Sequence, residues 1–312
     1  MGDLGVAEDP VRPARIAGIV GAGRAKGGAD GMDDPTVREQ TVAQARTRAP
    51  AQDAEVRELR ALGEFRDVEH LYGGIWPAVP GQGPPVSVEL LRAFAHAGNY
   101  VAGAYRDGRL VGAAVAFFGA PIGETLHSHV TGALAGSGVG FALKTHQREW
   151  ALARGLRRIT WTYDPLVRRN AHFNLAKLGA RPVEYLPNFY GEMVDTVNSG
   201  DASDRVLAVW ELNDPRVAAA VRGECMPIVP PADAESALAV RDGRPVLADT
   251  DAEVVLVAVP ADIEALRRTD PDAARSWREA LREALGGLLD GGATVLGFDR
   301  EAGYVVSRAR VG

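Results

Sequence analysis

The chain has 312 residues, 46% of them hydrophobic and 24% charged, enough to bury a sizeable core without staples. A formal net charge of −6 argues against a polyanion partner such as nucleic acid, and Cys225, the single cysteine, excludes a disulfide framework and cysteine-based clusters. No apolar run approaches the ~20 residues of a membrane span, and MGDLGVAEDP has no basic stretch followed by an apolar one, so no membrane contact and a cytoplasmic location are expected.

Residues 1–53 read as a disordered N-terminal tail, because stretches such as GAGRAKGGADGMDDP offer little apolar surface to offset ordering entropy. Residues 54–212 alternate strands and helices. EVRELR reads as a strand and GEFRDVEHLYGGIW as a helix. Ser87 caps a second helix that places Leu90, Leu91 and Phe94 on one face. YVAGAYRDGRLVGAAVAFFG is a hairpin turning at Asp107-Gly108. ETLHSHVTGAL is a strand, and the turn AGSGVG leads into a helix with Val139, Leu143, His146, Trp150 and Ala153 at helical spacing. RRITWTYDPL, the short helix NAHFNLAKLG, and the strands RPVEYLPNFYG and RVLAVWEL follow. Residues 213–312 form a separate α+β block with the strand EVVLVAV and two helices. The second helix opens at Asp270-Pro271, carries Ala274, Trp277, Leu281, Ala284 and Leu288 as its stripe, and precedes the hairpin TVLGFDREAGYVVSR. Arginine outnumbers lysine thirty-two to three and alanine is abundant, the mark of a GC-rich bacterial genome rather than of a basic binding face.

The densest chemical signal is strand, glycine-rich turn, helix in HSHVTGALAGSGVGFALKTHQREWAL. Backbone N–H groups at such a helix start suit a pyrophosphate, and glycines let the ligand approach. Leu134, Gly136, Gly138, Val139 and Gly140 are therefore candidate cofactor-binding residues. A plain strand-to-helix connection explains the same glycines.

This turn, followed by NAHFNLAKLGA, resembles the GNAT superfamily of acyl-CoA-dependent N-acyltransferases. HSHVTG, ITWTYDPLVRRNAHFNLAKLGA, YLPNFYG and VPADIEALRRTDPDAARSWREAL are similar to one branch of it with a C-terminal extension. The resemblance implies a mixed α/β fold, with a mostly antiparallel central sheet flanked by helices and a C-terminal α+β extension. It implies acetyl-CoA or another acyl-CoA as co-substrate, no metal, and a small-molecule amine as acceptor, with amino acids and N-succinyl transfer among the candidates. Asn170 and Phe173 would flank the pantetheine arm. A homodimer is among the assemblies left open. Two departures stand out. The turn lacks the usual Arg or Gln, leaving Arg168 or Arg169 to assist, and Leu175 stands where many relatives carry a tyrosine acid. A non-catalytic CoA-binding or interaction module is the alternative.

An amine must lose a proton before it attacks a thioester. His127 is the leading candidate base. His129 shares its strand face and is the second option for the base as well as a candidate for substrate contact, and Glu124 is the third option for the base. Trp161 and Asp164 are candidates for the acceptor pocket, with core packing and Asp-Pro turn chemistry as the competing reading. Tyr190 is the candidate acid in place of Leu175, and the N–H of Leu134 or its neighbour would stabilise the oxyanion.

Overall fold

The computed structural model describes residues 54–77, 83–191, 201–224 and 227–309. The whole of the expected tail, residues 1–53, and Cys225 lie outside the described residues. One compact unit spans Ala49–Gly312.

Strand β1 (Glu55–Glu58) is followed by helices α1 (Leu62–Ile75) and α2 (Val88–His96). The Ser87 hydroxyl accepts from the Leu90 N–H at 3.3 Å and caps α2. Leu91 is buried and Phe94 half-buried, but Leu90 points to solvent, so the expected trio is split. Strands β2 (Tyr100–Arg106) and β3 (Arg109–Gly119) turn through Asp107 (φ 51°) and Gly108 (φ 72°). Two successive positive φ angles suit the twist of a tight hairpin. Then come β4 (Thr125–Ala133), α3 (Val139–Leu152), β5 (Arg158–Tyr163) and α4 (Arg168–Ala171). Helix α4 runs on as a π-helical turn (His172–Lys177), before β6 (Arg181–Leu186) and β7 (Arg205–Glu211).

These strands form one sheet in the order β1-β2-β3-β4-β5-β7-β6. Every neighbouring pair is antiparallel except β4 and β5. Helices α1 and α2 cover Val101, Ala113 and Val115 on one face, while α3 covers Tyr100, Ala114, Leu126 and Ile159 on the other. The fold is the mixed α/β arrangement expected, with a mostly antiparallel sheet flanked by helices.

The C-terminal block begins with α5 (Pro215–Val221). It continues through β8 (Glu235–Arg241), β9 (Arg244–Leu247), β10 (Val254–Val257), α6 (Ile263–Thr269) and α7 (Pro271–Leu281). A π-helical turn (Arg282–Gly286), α8 (Gly287–Asp290), β11 (Thr294–Asp299) and β12 (Gly303–Ser307) complete it. Its sheet has the order β11-β12-β10-β8-β9. The expected stripe holds at Ala274, Trp277 and Leu281, then slips by one residue. Leu285 and Leu289 are buried, with Ala284 and Leu288 only partly so, because the π turn inserts an extra residue into the helical repeat.

A single core joins the inner faces of both sheets, with Trp161, Tyr163 and Trp210 from one side and Val255, Val257 and Tyr304 from the other. A buried ionic cluster reinforces the junction. Asp164 accepts from Arg278 at 2.9 and 3.0 Å and from Arg267 at 2.6 Å, and Asp201 accepts from the same two arginines. Asp204 pairs with Arg282 at 2.7 Å and accepts from the Tyr185 hydroxyl at 2.8 Å.

Candidate active site

Strands β4 and β5 pair only at Thr125↔Arg158, Leu126↔Ile159 and His127↔Thr160. Beyond that point β4 continues to Ala133 and β5 to Tyr163, so the sheet opens into a fork. At the mouth of the fork β4 carries a bulge. Its register on β3 steps from Val115↔Val130 to Ala116↔Ser128, leaving His129 with no opposite residue. Among the described residues no strand pairs with the two inner edges of the fork, and their backbone groups are placed to bond an extended amide chain.

The glycine turn lies at the end of β4. Gly136 (φ 73°) and Gly138 (φ 69°) adopt the left-handed conformation that glycine takes without strain, and Gly138 is the N-cap of α3. No side chain caps this helix and no acidic residue stands in its first turn, which leaves its N–H groups and positive dipole end for an anion. A close contact seats the helix. A Cβ at Gly112 would come within 2.8 Å of Val139, so Val139 rests directly on β3. Arg106, at the end of β2, donates to the Ser137 carbonyl at 2.9 Å and brings a guanidinium to the turn. Sequence reading missed it, because the contact spans 31 residues.

Leu134 has a different role from the one expected. Its N–H donates to the Val111 carbonyl at 2.9 Å and extends the β3–β4 ladder, so it is not available to an oxyanion. Phe173 comes within 3.9 Å of where a Gly140 Cβ would stand, so the late helix and the glycine turn form one wall. Asn170 lies in the first turn of α4, whose N-cap is Val167. Arg168 is committed elsewhere, donating to the carbonyls of Val259 at 2.5 Å, Pro260 at 3.3 Å, and Arg300. Arg169 pairs with Glu264. Both arginines tie the late helix to the C-terminal block rather than reach the turn. Leu175 is buried in the core.

The opposite face of the fork gathers the polar candidates. His127 Nδ1 lies 3.0 Å from Thr160 Oγ1, and Thr162 Oγ1 lies 3.2 Å from the Tyr190 hydroxyl. Thr160 and Thr162 share one face of β5 because strand side chains repeat every two residues. Phe117 packs against both histidines, with ring centroids 5.2 Å from His127 and 5.9 Å from His129, and stacks on Phe94 at 5.7 Å. Burial, with help from His129 and then Lys144, pulls the His127 imidazole down to about 4. Burial lowers His129 as well. His127 is therefore neutral at pH 7, in the form that accepts a proton. Glu124 sits at the other end of β4, where its carbonyl accepts from Arg157 and Arg158.

Trp161 and Asp164 fall outside this face. Trp161 points to the α3 side, 5% exposed, edge-on to Trp210. Burial alone would push the Asp164 carboxyl up, but Arg278 and Arg267 hold it well below the usual carboxylate range. Its oxygens are spent on those arginines and on the Leu166 N–H at 3.0 Å, so the sequence-level assignment to an acceptor pocket is replaced by a role in joining the two sheets.

Residues 65–180 match the acetyltransferase (GNAT) family. This stretch of the chain is a GNAT domain. The fork, the glycine turn and the late helix of the GNAT domain all lie within the matched residues or at their edge. No curated protein matches the chain in sequence. Several solved structures resemble part of it. An N-acetyltransferase from Staphylococcus aureus Mu50 is 14% identical, with a TM-score of 0.43 over 52% of this chain and 100% of its own. The aminoglycoside 6'-N-acetyltransferase from Enterococcus faecium is 16% identical, with a TM-score of 0.39 over 51% of this chain and 97% of its own. Arabidopsis thaliana Naa50, in complex with the bisubstrate analogue CoA-Ac-MVNAL, is 16% identical, with a TM-score of 0.40 over 50% of this chain and 97% of its own. Among the described residues no helix is long and apolar enough to cross a membrane.

Proposed function

We propose that this protein is an acyl-CoA-dependent N-acyltransferase that moves an acetyl or succinyl group to the amine of a small molecule, with amino acids among the candidate acceptors. The observation that carries the reading is the fork itself. An uncapped helix start lies at the end of β4, and a neutral histidine lies across the sheet from α3.

In this reading the pyrophosphate of the acyl-CoA lies on the Gly136–Gly140 turn, against the N–H groups of α3 and near Arg106. The pantetheine arm extends into the fork beside Phe173 and bonds the free strand edges. Its thioester reaches the bulge at His129, whose backbone takes the oxyanion role expected of Leu134. The amine enters on the side of Phe94 and Phe117. His127 accepts its proton, directly or through one water. The nitrogen bonds to the acyl carbon, the C–S bond breaks, and the thiolate leaves. Tyr190, held by Thr162, is the proton donor available on the open face.

The test is thiol release from acetyl-CoA and succinyl-CoA against a panel of L- and D-amino acids and small amines, for the wild type and His127→Ala. Turnover lost in the variant with CoA binding retained supports the reading. Turnover unchanged in the variant removes His127 as the base. Absence of both thiol release and CoA binding replaces the enzyme with an interaction module on the same fold.

A further inference from the structure

The fork holds a charge that the reaction above leaves unused. Lys144, in the second turn of α3, is only 5% exposed. Its Nζ donates to Ser128 Oγ at 2.9 Å and to Gln147 Oε1 at 3.4 Å, and stands 3.9 Å from the centroid of the Trp161 ring. Ser128 and Trp161 are the first residues past the last β4–β5 pair, His127↔Thr160. The amine is thus fixed at the point where the strands part, on the α3 side. Its contacts are a hydroxyl, an amide oxygen and an aromatic face, and among the described residues no carboxylate pairs with it. Gln147 beside it is fully buried, and its Nε2 has no partner among the described residues. Two donors therefore stand behind the fork with less acceptor than they can use. A buried cation without a counter-ion is costly to keep, and it fits a place where negative charge arrives.

We propose that Lys144 faces the sulfur of the bound acyl-CoA and stabilises the thiolate released on acyl transfer. The inference rests on the acyl-transfer reading and adds a residue to it. As the nitrogen bonds to the acyl carbon, the C–S electron pair passes to sulfur. The sulfur leaves as a thiolate beside the Lys144 ammonium, which keeps its proton; Tyr190 supplies the proton that the thiolate later takes up, while the proton of the amine passes to His127. Solvent restores Tyr190 and His127 after the products leave. Burial brings the Lys144 amine down to about 7, so both of its forms are populated near neutral pH. Titratable or charged groups on the elements around it are His127 and His129 on β4, His146, Arg148 and Glu149 on α3, Tyr100, Tyr105 and Arg106 on β2, Arg109 on β3, and Arg158 and Tyr163 on β5. None of them bonds its Nζ.

The test needs no turnover. Calorimetry compares CoA with desulfo-CoA, which lacks the sulfur, on the wild type, Lys144→Met and Ser128→Ala at about pH 7. The expected result is a preference of about tenfold or more for CoA in the wild type. Lys144→Met abolishes that preference and leaves desulfo-CoA affinity unchanged, and Ser128→Ala, which frees the amine without removing it, reduces it. In addition, the thiolate absorbance of bound CoA appears at least about one pH unit below that of free CoA. Equal wild-type affinities for the two ligands overturn the proposal alone, and that comparison stands even if Lys144→Met does not fold. A preference retained in Lys144→Met also overturns it. Binding of neither ligand overturns the proposal together with the acyl-CoA reading.

Discussion

Thr160 Oγ1 lies 3.0 Å from Nδ1 of His127, and two residues along the same strand face Thr162 holds Tyr190. One strand thus carries the anchors of both the proposed base and the proposed acid. His127 is half-buried, and burial lowers it to about 4, so the neutral base persists well below its usual titration range. The acid limb of kcat/KM is expected near pH 4 rather than near the unperturbed value of about 6.5. His127→Gln lowers kcat by about 10²–10⁴ and leaves CoA affinity unchanged. A pH–rate profile of the wild type with calorimetry on the variant checks both statements.

The glycine turn makes a separate prediction about binding. Gly138 has φ 69°, a conformation that costs an L-residue about 1–2 kcal/mol. Gly138→Val is expected to weaken CoA binding about tenfold or more, with a smaller effect on kcat at saturating CoA. A titration of CoA against both proteins measures it. Equal affinities would remove the turn from the binding site.

Asp164 separates a structural role from a substrate role. Its carboxylate meets two buried arginines from the C-terminal block, and removing its charge leaves Asp201 alone to balance both, at a cost of up to about 3–5 kcal/mol. Asp164→Asn is expected to lower the unfolding free energy by up to that amount while KM for the amine stays unchanged in the folded fraction. Denaturant unfolding and steady-state kinetics test the two halves. A raised KM with normal stability would return Asp164 to the acceptor pocket.

Lys144 links stability to pH. Its folded value of about 7 lies below the unfolded value of about 10.4, so the unfolded chain holds more protons between these limits. Stability contributed by this group is fully present above the upper limit and is lost as pH falls toward 7. Lys144→Met is expected to remove that dependence and to be more stable than the wild type below pH 7, by on the order of a few kcal/mol at most. Thermal unfolding across this pH range decides it.

The local features of the fold were legible because local chemistry sets them. The Ser87 cap, the Asp107-Gly108 hairpin and the glycine turn before α3 each depend on a few adjacent residues. The β8–β9 hairpin carries the same signal at Asp242-Gly243 and was open to the same reading. What escaped depends on distant partners. Nothing near Asp164 announces Arg267 and Arg278, which lie 103 and 114 residues away. Lys144 and Gln147 stand outside the stripe of Val139, Leu143, His146, Trp150 and Ala153 expected for α3, yet both are buried. The bulge at His129 and the π turn at Arg282–Gly286 each insert one residue, which periodicity cannot register.

The most direct test of acyl transfer through the fork follows isotope-labelled acetyl-CoA or succinyl-CoA with the best acceptor by mass spectrometry in a single turnover. The account predicts label on the acceptor nitrogen, one free thiol per product, and no labelled protein at any time. Label that first accumulates on the protein, or CoA that binds without any labelled acceptor forming, would contradict direct transfer at this site.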